Sequence, residues 1–430
     1  MSGPPFELAV RGGRFHTGGQ PIPEGATLLI TGGLIGRVAA PKEPFEAART
    51  IGAEGRIIIP GLVNAHTHAA MSLFRGLADD LSLEGFLARV WPAEAAAVSP
   101  EMVYWCTLLS CGEMLLSGTV AFADAYFFEE EVARAAELAG MRAVCGQGLL
   151  DLPAPDAPAG QGLARLKRFL EGFPSSRLAE PAVFPHSVAT CSPRTLAAAR
   201  ELAREFGCRC FIHLAETAGE VRGCVRRHGV RPLGLLERLG LLSENCALVH
   251  AVHLGEEEMR LAAERGVAAV HCPESNLKLA SGMMPLARML RLGVKCALGT
   301  DGAASNNDLD LLGEMRTAAC LGRLKGQGPG YPGAAAILDM ATRGGAAALG
   351  LDSGVLEVGR PADLAIIEPA DYLWPEEGAA EQVVFGCGRA DVHTVIVDGR
   401  VVVEAGRLTT VDVEEVMGRV RELAARFRSP

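Results

Sequence analysis

The most informative pattern in the chain is Pro60-Gly61-Leu62-Val63-Asn64-Ala65-His66-Thr67-His68, an apolar run that ends in two histidines two residues apart. Successive side chains of a β-strand point to opposite faces, so His66 and His68 share one face and converge on one point. Two neutral imidazoles side by side suit a divalent metal. A pair of exposed loop histidines is the alternative, and the rest of the chain decides between the two readings.

Strand-like apolar runs alternate with amphipathic helical stretches through the middle of the chain. Eight such runs lie at residues 57–65, 119–123, 143–149, 182–186, 210–214, 246–250, 267–271 and 295–299. Helical patterns follow most of them, for example at 194–206, 256–265 and 285–292. Eight strand–helix alternations over about 290 residues predict an α/β fold, a TIM (β/α)8 barrel whose active site lies at the carboxyl ends of the strands.

Both ends of the chain have a different texture, with short β-branched runs broken by Gly and Pro. Strands are predicted at 26–31, 34–38, 363–367 and 392–403, the last with a turn at Asp398-Gly399, and a final helix at 412–427. We therefore expect both termini to build one small β-sandwich domain, residues 1–58 with 354–430. The barrel domain is expected to span residues 59–353.

Composition excludes several classes of protein. Hydrophobic residues make up 49% and charged residues 21% of the 430 residues, which is typical of a globular chain with a large core. The net charge of −10 carries no block of like charges, so nucleic acid is not expected as a partner. Apolar stretches stay below about 18 residues, so no membrane span is expected.

Compartment is inferred from the start of the chain and from cysteine usage. The first residues, 1–7, lack the basic and apolar regions of a signal peptide. Twelve cysteines occur without a C-x-x-C spacing, and such residues behave as small buried apolar groups. The sequence predicts a reduced, cytoplasmic protein.

Three further strand ends carry metal-ligand side chains. His213 closes the run 210–214 and is followed three residues later by Glu216. His250 closes the run 246–250, and Asp301 follows the last strand. Histidines or an acid at four strand ends of one barrel seldom arise by packing alone, so the metal interpretation is favoured over the exposed-loop interpretation.

These strings are similar to those of the amidohydrolase superfamily, in the branch of 5′-methylthioadenosine/S-adenosylhomocysteine deaminases, which is related to cytosine deaminases and chlorohydrolases. The matching strings are residues 61–68, 73–81, 213–217, 275–282 and 299–307. The resemblance covers nearly the whole chain, including the composite sandwich. Its motifs are highly specific for the superfamily and less specific for the substrate.

The resemblance implies one divalent metal, with Zn2+ first and Fe2+ or Mn2+ as alternatives. The implied ligands are His66, His68, His213 and Asp301. Binuclear branches of the superfamily use a carboxylated lysine at the fourth strand. This strand reads Val183-Phe184-Pro185-His186-Ser187 and has no lysine, so one metal is expected rather than two.

The resemblance also implies hydrolytic deamination at C6 of an adenosine-type nucleoside, giving the inosine-type product and ammonia. Glu216 would protonate ring N1, and His250 would orient the attacking hydroxide. Asp301 would take the proton of the water and pass it to the departing ammonia. Glu94 matches an acid that binds the ribose hydroxyls, with a solvated helix acid as the alternative. His186 matches a substrate-contacting histidine, with a packed strand-end residue as the alternative.

The 5′ substituent of the substrate is where the resemblance weakens. Relatives that accept S-adenosylhomocysteine bind its carboxylate with arginines between the third and fourth strands. The corresponding stretch, after a Pro/Ala/Gly-rich loop at 151–162, offers only Arg165 or Arg168 as substitutes. We therefore expect 5′-methylthioadenosine, 5′-deoxyadenosine or adenosine to rank above S-adenosylhomocysteine.

Two other functions are compatible with parts of the same sequence pattern. A guanine deaminase or an s-triazine chloro- or aminohydrolase would use the same metal site. A catalytically dead scaffold would be expected to have lost a ligand or the acid, and this chain keeps them all. The expected partners are therefore a small-molecule nucleoside and water, with no nucleic acid and no membrane. The resemblance also implies a homo-oligomer, either a dimer or a tetramer.

Overall fold

The computed structural model describes residues 5–174, 176–326, 328, 330–373 and 378–428. Residues 1–4, 374–377, 429 and 430 of the predicted sandwich domain lie outside the described residues, and so do the first four residues of the signal-peptide prediction. The first six strands are β1 Phe6–Arg11, β2 Arg14–Phe15, β3 Thr27–Thr31, β4 Leu34–Ala39, β5 Ala47–Gly52 and β6 Ile57–Pro60.

Eight parallel strands then form one sheet, in which each strand pairs with the next along the chain. They are β7 Leu62–Thr67, β8 Thr119–Tyr126, β9 Arg142–Leu149, β10 Ala179–Pro185, β11 Arg209–Leu214, β12 Cys246–His250, β13 Ala268–His271 and β14 Lys295–Leu298. The first and last strands approach each other at their carboxyl ends, where the Asp301 amide donates to the His66 carbonyl oxygen at 3.0 Å. The predicted barrel is confirmed.

The chain ends with β15 Leu364–Ile367, β16 Val392–Val397, β17 Arg400–Glu404 and β18 Arg407–Leu408. The helices are α1 Leu83–Ala97, α2 Pro100–Leu116, α3 Glu129–Ala139, α4 Gly162–Gly172, α5 Pro193–Phe206, α6 Ala218–His228, α7 Pro232–Arg238, α8 Glu256–Glu264, α9 Pro273–Lys278, α10 Leu286–Arg291, α11 Leu311–Gly326, α12 Ala334–Asp339, α13 Gly345–Leu349, α14 Ala379–Glu381 and α15 Val413–Arg428. Short 3-10 helices lie at Ala69–Phe74, Asp371–Leu373 and Arg389–Asp391, and π-helices at Met340–Gly344 and Gln382–Gly386.

The terminal strands form two packed sheets, which confirms the sandwich made from both ends of the chain. One sheet has the order β4-β3-β1-β5 and the other β18-β17-β16-β15-β6-β2. Their shared core contains Leu8, Val10, Leu28, Ile30, Ile58, Leu364, Ile366 and Ile396. Burial of these side chains, at about 1.5–3 kcal/mol each, holds the N-terminal strands on the C-terminal ones.

One strand prediction is wrong. Residues 57–65 form two strands in two different sheets, because β6 pairs antiparallel with β15 and only β7 enters the barrel. The break is at Gly61, whose amide donates to the carbonyl oxygen of Asp363 and whose Cα approaches Val120 so closely that a Cβ would overlap it. All four residues of β6 are buried, so the apolar run looks continuous in sequence.

The tight turns follow the predicted chemistry. Gly32 and Gly33, between β3 and β4, both have positive φ angles of 57° and 81°. Asp398 and Gly399, between β16 and β17, have φ angles of 51° and 75°. Positive φ at both central residues is the geometry that matches the twist of a two-residue hairpin.

Two features bear on the compartment predictions. All twelve cysteines are free, and ten of them are buried. Among the described residues, no helix combines the length and the apolar character that a bilayer crossing would need.

Candidate active site

A cavity of about 760 Å³ opens at the carboxyl ends of the barrel strands. Its floor contains the predicted site residues at the ends of β7, β10, β11, β12 and β14, namely His68, His186, His213, Glu216, His250 and Asp301. Helix α1 and the loop after β9 form its walls. The structure therefore brings the predicted catalytic residues and metal ligands to one place, and His66, which does not line the cavity, contacts His213 and Asp301.

The ring nitrogens of His66, His68 and His213 form a cluster in which all three lie within 4.8 Å of one another. His66 Nε2 lies 3.2 Å from His213 Nε2. Asp301 Oδ1 lies 3.5 Å from His66 Nε2 and 3.3 Å from His68 Nε2. Atoms bonded at about 2.1 Å to one tetrahedral cation are about 3.4 Å apart, so these separations fit a divalent metal.

Hydrogen bonds orient the donor atoms toward this point. His68 Nδ1 lies 2.6 Å from the carbonyl oxygen of Ala125, which can only accept, so Nδ1 carries the proton and Nε2 presents its lone pair. Asp301 Oδ2 accepts from Ser275 Oγ at 2.6 Å, and Oδ1 accepts from the Gly302 amide at 2.8 Å.

Two histidines of the cluster, His66 and His213, are held neutral by burial. Burial lowers the pKa of His66 to about 4 and the pKa of His213 well below its usual value. Burial alone would raise the pKa of Asp301, but the neighbouring histidines more than offset this and hold it well below its usual range. Neutral imidazoles beside an ionised carboxylate are the protonation states that metal binding needs.

Glu216 stands beside the cluster as a carboxylic acid. Burial, reinforced by the charge of Asp301, raises the pKa of Glu216 to about 8. Ser281 Oγ donates to its Oε1 at 2.9 Å, and its Oε2 lies 3.7 Å from His250 Nε2. Glu220 fixes the backbone here, accepting from the amides of Ala215 and Glu216. A buried acid that is protonated near neutral pH can donate a proton to a ligand.

Three strand ends turn through left-handed backbone conformations. The φ angles are 51° at Ala215, 71° at His250 and 63° at Asp301. Each such residue costs about 1–3 kcal/mol, and such strain clusters at functional sites. The kinks turn the chain so that Glu216, His250 and Asp301 face the cavity.

Glu94 lies on α1 and lines the cavity, with only 7% of its surface exposed. Tyr126 donates from its hydroxyl to Glu94 Oε1 at 2.6 Å. Burial raises the pKa of Glu94, and the tyrosine hydrogen bond partly opposes that rise. Glu94 is therefore not a solvated helix acid.

His186 also lines the cavity, at the end of β10. Its Nδ1 lies 3.0 Å from Thr190 Oγ1, and its ring centre lies 4.9 Å from that of His213. Burial lowers the pKa of His186 to about 4, so it faces the cavity as a neutral imidazole.

Neither candidate arginine reaches the cavity. Arg165 donates to Asp156 Oδ2 at 3.0 Å and to Glu130 Oε2 at 2.6 Å, and so anchors the loop after β9. Arg168 is exposed on α4. The described residues that line the cavity include no lysine and no arginine, and the loop contributes Leu152, Pro153, Ala154 and Pro155.

Several further residues contribute to the site, although the sequence does not single them out. Tyr126, Ser275, Ser281 and Glu220 act by hydrogen-bonding to residues that were predicted, as described above. Tyr126 ends strand β8, and a polar residue at the end of a barrel strand is the signal that could have identified it. Ser275 and Ser281 do not end strands, but both lie in the string 275–282 that resembles the superfamily. Phe184 packs its ring 4.9 Å from that of His213 and makes part of the apolar floor.

Comparison with known proteins adds the family. The model of the amidohydrolase family matches residues 57–402. The chain belongs to the amidohydrolase family. This amidohydrolase is 44% identical over 429 residues to a 5-methylthioadenosine/S-adenosylhomocysteine deaminase of Syntrophobacter fumaroxidans, covering 99% of this chain and 97% of that protein.

Two other similar proteins act on related nucleosides. The amidohydrolase is 40% identical over 412 residues to a 5'-deoxyadenosine deaminase of Methanosarcina mazei, covering 94% of each chain. Its fold matches the zinc-bound crystal structure of an adenosine deaminase of Xanthomonas campestris with a TM-score of 0.95 and 36% identity, over 99% of this chain and 100% of the other. The family and the histidine cluster together support a divalent metal cofactor.

Proposed function

We propose that this amidohydrolase hydrolytically deaminates adenosine-type nucleosides, replacing the 6-amino group with oxygen and releasing ammonia. The observation that carries the proposal is Glu216, a buried acid with a pKa of about 8, beside a donor cluster that fits a metal. The relatives that deaminate 5′-substituted adenosines support the same substrate class. A dead scaffold would not be expected to retain such an arrangement.

His66, His68, His213 and Asp301 would hold one divalent cation, which we propose to be zinc. Their nitrogen-rich set suits zinc, and the similar adenosine deaminase contains zinc. When bound, a cation of this kind lowers the pKa of a water ligand and so supplies a nucleophile at neutral pH.

The proton transfers fall to two carboxyl groups in different protonation states. Glu216 keeps its proton at pH 7 and donates it to the ring nitrogen beside the reacting carbon, so that negative charge does not build up on the ring. Asp301 is ionised, and it accepts one proton of the attacking water and delivers it to the amino group, which leaves as ammonia. The remaining hydroxyl proton returns to Glu216 as the C6–oxygen double bond forms. The two roles follow from the surroundings of each carboxyl group. Burial and the negative charge of Asp301 raise the pKa of Glu216, whereas the neighbouring histidines lower the pKa of Asp301.

Substrate is positioned by groups farther up the cavity. Glu94 Oε1 accepts from Tyr126, and we propose that Oε2 accepts from the ribose hydroxyls. His186 would contact the nucleoside as a neutral hydrogen-bonding group. The apolar wall at 152–155 and the absence of a lysine or arginine among the described lining residues favour a small or apolar 5′ group over a carboxylate.

A spectrophotometric assay tests the proposal. Zinc-loaded protein is given 5′-methylthioadenosine, 5′-deoxyadenosine, adenosine and S-adenosylhomocysteine, with guanine and an s-triazine as alternatives. We expect loss of the adenine absorbance with the first three, and no activity in Glu216→Gln. Turnover of guanine or the triazine alone would contradict adenosine deamination while leaving the metal site in place.

Three further expectations stay predictions. The division into residues 1–58 with 354–430 and 59–353 is testable by limited proteolysis. The dimer or tetramer is testable by light scattering. A cytoplasmic location is supported by the twelve free cysteines, since disulfides form in oxidising compartments, and it is testable by cell fractionation.

A further inference from the structure

Asn276 is a buried side chain that the chemistry above leaves without a role. It lies in α9, after the seventh barrel strand, and is fully buried. Its Nδ2 lies 3.0 Å from Nδ1 of His250, which is also buried. A buried amide aimed at the ring of a cavity histidine controls which ring nitrogen carries the proton.

The donor and acceptor chemistry of this contact has two solutions. An amide nitrogen can only donate, so in this arrangement His250 Nδ1 accepts and its proton sits on Nε2. In the second solution the Asn276 side-chain amide is rotated by 180°, so that Oδ1 accepts from His250 Nδ1–H. The NH2 group would then occupy the buried position at which Oδ1 now has no hydrogen-bond partner, and it would be unpaired there. An unpaired buried N–H group is rarer than an unpaired carbonyl oxygen, so the first arrangement is favoured.

The consequence appears on the cavity side of the ring. His250 Nε2 lies 3.7 Å from Glu216 Oε2 and faces the same space as the donor cluster. We propose that Asn276 is a positioning residue, which holds His250 with its proton on Nε2 and so makes it a hydrogen-bond donor toward the reacting oxygen. The catalytic consequence, though not the tautomer itself, rests on the proposed function.

The same short segment also orients the acid. The Ser281 amide donates to the Asn276 carbonyl oxygen at 2.9 Å, and Ser281 Oγ donates to Glu216. The backbone N–H of Asn276 donates to the Cys272 carbonyl oxygen at 3.0 Å, which fixes the main chain at this residue. One turn after the seventh strand therefore orients both His250 and Glu216, which gives the asparagine a rigid base.

The tautomer is measured directly on metal-free protein labelled with 15N-histidine. Two-bond nitrogen–proton correlation spectra report which ring nitrogen is protonated, and His250→Gln identifies the signals of His250. We expect the proton on Nε2 in the wild type and on Nδ1 in Asn276→Asp, because a carboxylate can only accept. A wild-type ring protonated on Nδ1, or an unchanged ring in the aspartate variant, would overturn the inference.

Kinetics on the zinc-loaded enzyme supply the second readout. Loss of a donor to a developing oxyanion costs about 10²–10³ in kcat, so we expect Asn276→Asp to lose that much with little change in KM. Asn276→Ala frees the ring and should lose less, whereas a merely structural role predicts that alanine is the more damaging change. Asn245→Asp, the same change at an exposed position before β12, is the matched control and should leave kcat unchanged.

Two contingencies are covered by these measurements. If Asn276→Asp does not fold, the alanine variant decides, because we expect its spectrum to show both tautomers. A spectrum with Nε2 protonation alone would contradict the proposal. Wild-type inactivity on every adenine nucleoside would count against the proposed function only, since the spectra need neither metal nor substrate.

Discussion

The backbone amide of Asp301 donates to the carbonyl oxygen of His66 at 3.0 Å, and the side chains of the same two residues meet at 3.5 Å. This contact joins the last strand end of the barrel to the first. Asn64 reinforces it, since its Oδ1 accepts from the Thr300 amide at 3.0 Å and its Nδ2 donates to Thr300 Oγ1 at 2.8 Å. Closure of the barrel and assembly of the donor cluster are therefore one structural event.

Substitution of Asn64 should weaken both the closure of the barrel and the binding of the metal. Asn64→Ala leaves the buried Thr300 amide unpaired, which costs about 1–3 kcal/mol of unfolding free energy. We expect that loss in urea denaturation of the metal-free protein, and a lower zinc affinity by equilibrium dialysis. Asn245→Ala is the exposed control. An unchanged zinc affinity in a destabilised Asn64→Ala would show that closure and metal binding are independent.

Metal loading should stabilise the fold. A ligand that binds only the folded state at about 100 times its Kd adds about 2.7 kcal/mol to the unfolding free energy. We expect a chelator to lower the Tm and abolish activity, and added zinc to restore both. His213→Ala should remove this dependence, whereas His228→Ala, a histidine of α6 outside the cavity, should retain it. An equal zinc response in both variants would place the metal elsewhere.

Activity should fall on the alkaline side of about pH 8. Burial raises the pKa of Glu216 to about 8, so the protonated form that donates to the ring is present below that pH and is lost above it. The same shift means that folded protein keeps a proton which the unfolded chain releases near pH 4.5, so this group makes stability decrease as pH rises between the two values.

The measurement is kcat/KM for adenosine between pH 6 and pH 10. In Ser281→Ala, Glu216 loses a donor that favours its charged form, so its pKa should rise and the alkaline limb should move to higher pH. If the alkaline limb of the pH profile does not move in Ser281→Ala, it reports the titration of a group other than Glu216.

Replacement of Glu94 should lower activity only on substrates that carry the ribose hydroxyls. A hydrogen bond to a charged group is worth about 1.5–3 kcal/mol, which is roughly ten- to a hundredfold in kcat/KM. We expect Glu94→Gln to lose that much with adenosine and little with 2′,3′-dideoxyadenosine. Tyr126→Phe removes only the hydroxyl that holds Glu94 Oε1 and should show a smaller loss of the same kind. Equal losses on both nucleosides would indicate a general packing effect.

The sequence alone indicates the eight strands and the metal ligands because each ligand ends an apolar run, and strand periodicity and barrel topology then bring these ends together. It does not show that β6 leaves the barrel, because Ile57, Ile58 and Ile59 are as fully buried in the terminal sheet as barrel residues are. Asn276 shows the other limit. Its role depends on a 3.0 Å contact between α9 and the end of β12, and the matching string 275–282 alone does not show that contact.

The preference for the 5′ substituent of the substrate follows from the lack of a lysine or arginine among the described residues of the cavity wall. A substrate carboxylate placed against residues 152–155 would meet apolar side chains, and burying an unpaired charge is costly. We expect kcat/KM for 5′-methylthioadenosine to exceed that for S-adenosylhomocysteine in the wild type.

A positively charged side chain at the cavity wall should partly reverse the preference for 5′-methylthioadenosine over S-adenosylhomocysteine. Ala154 lines the cavity, and Ala154→Arg offers a bidentate partner that should raise the S-adenosylhomocysteine to 5′-methylthioadenosine ratio about tenfold, equivalent to about 1.4 kcal/mol. Ala154→Gln is the neutral control of similar length. Arg165→Ala should leave the ratio unchanged and weaken both substrates, because Arg165 anchors the loop through Asp156 and does not face the cavity. A fall in the ratio in Arg165→Ala would instead assign carboxylate recognition to Arg165.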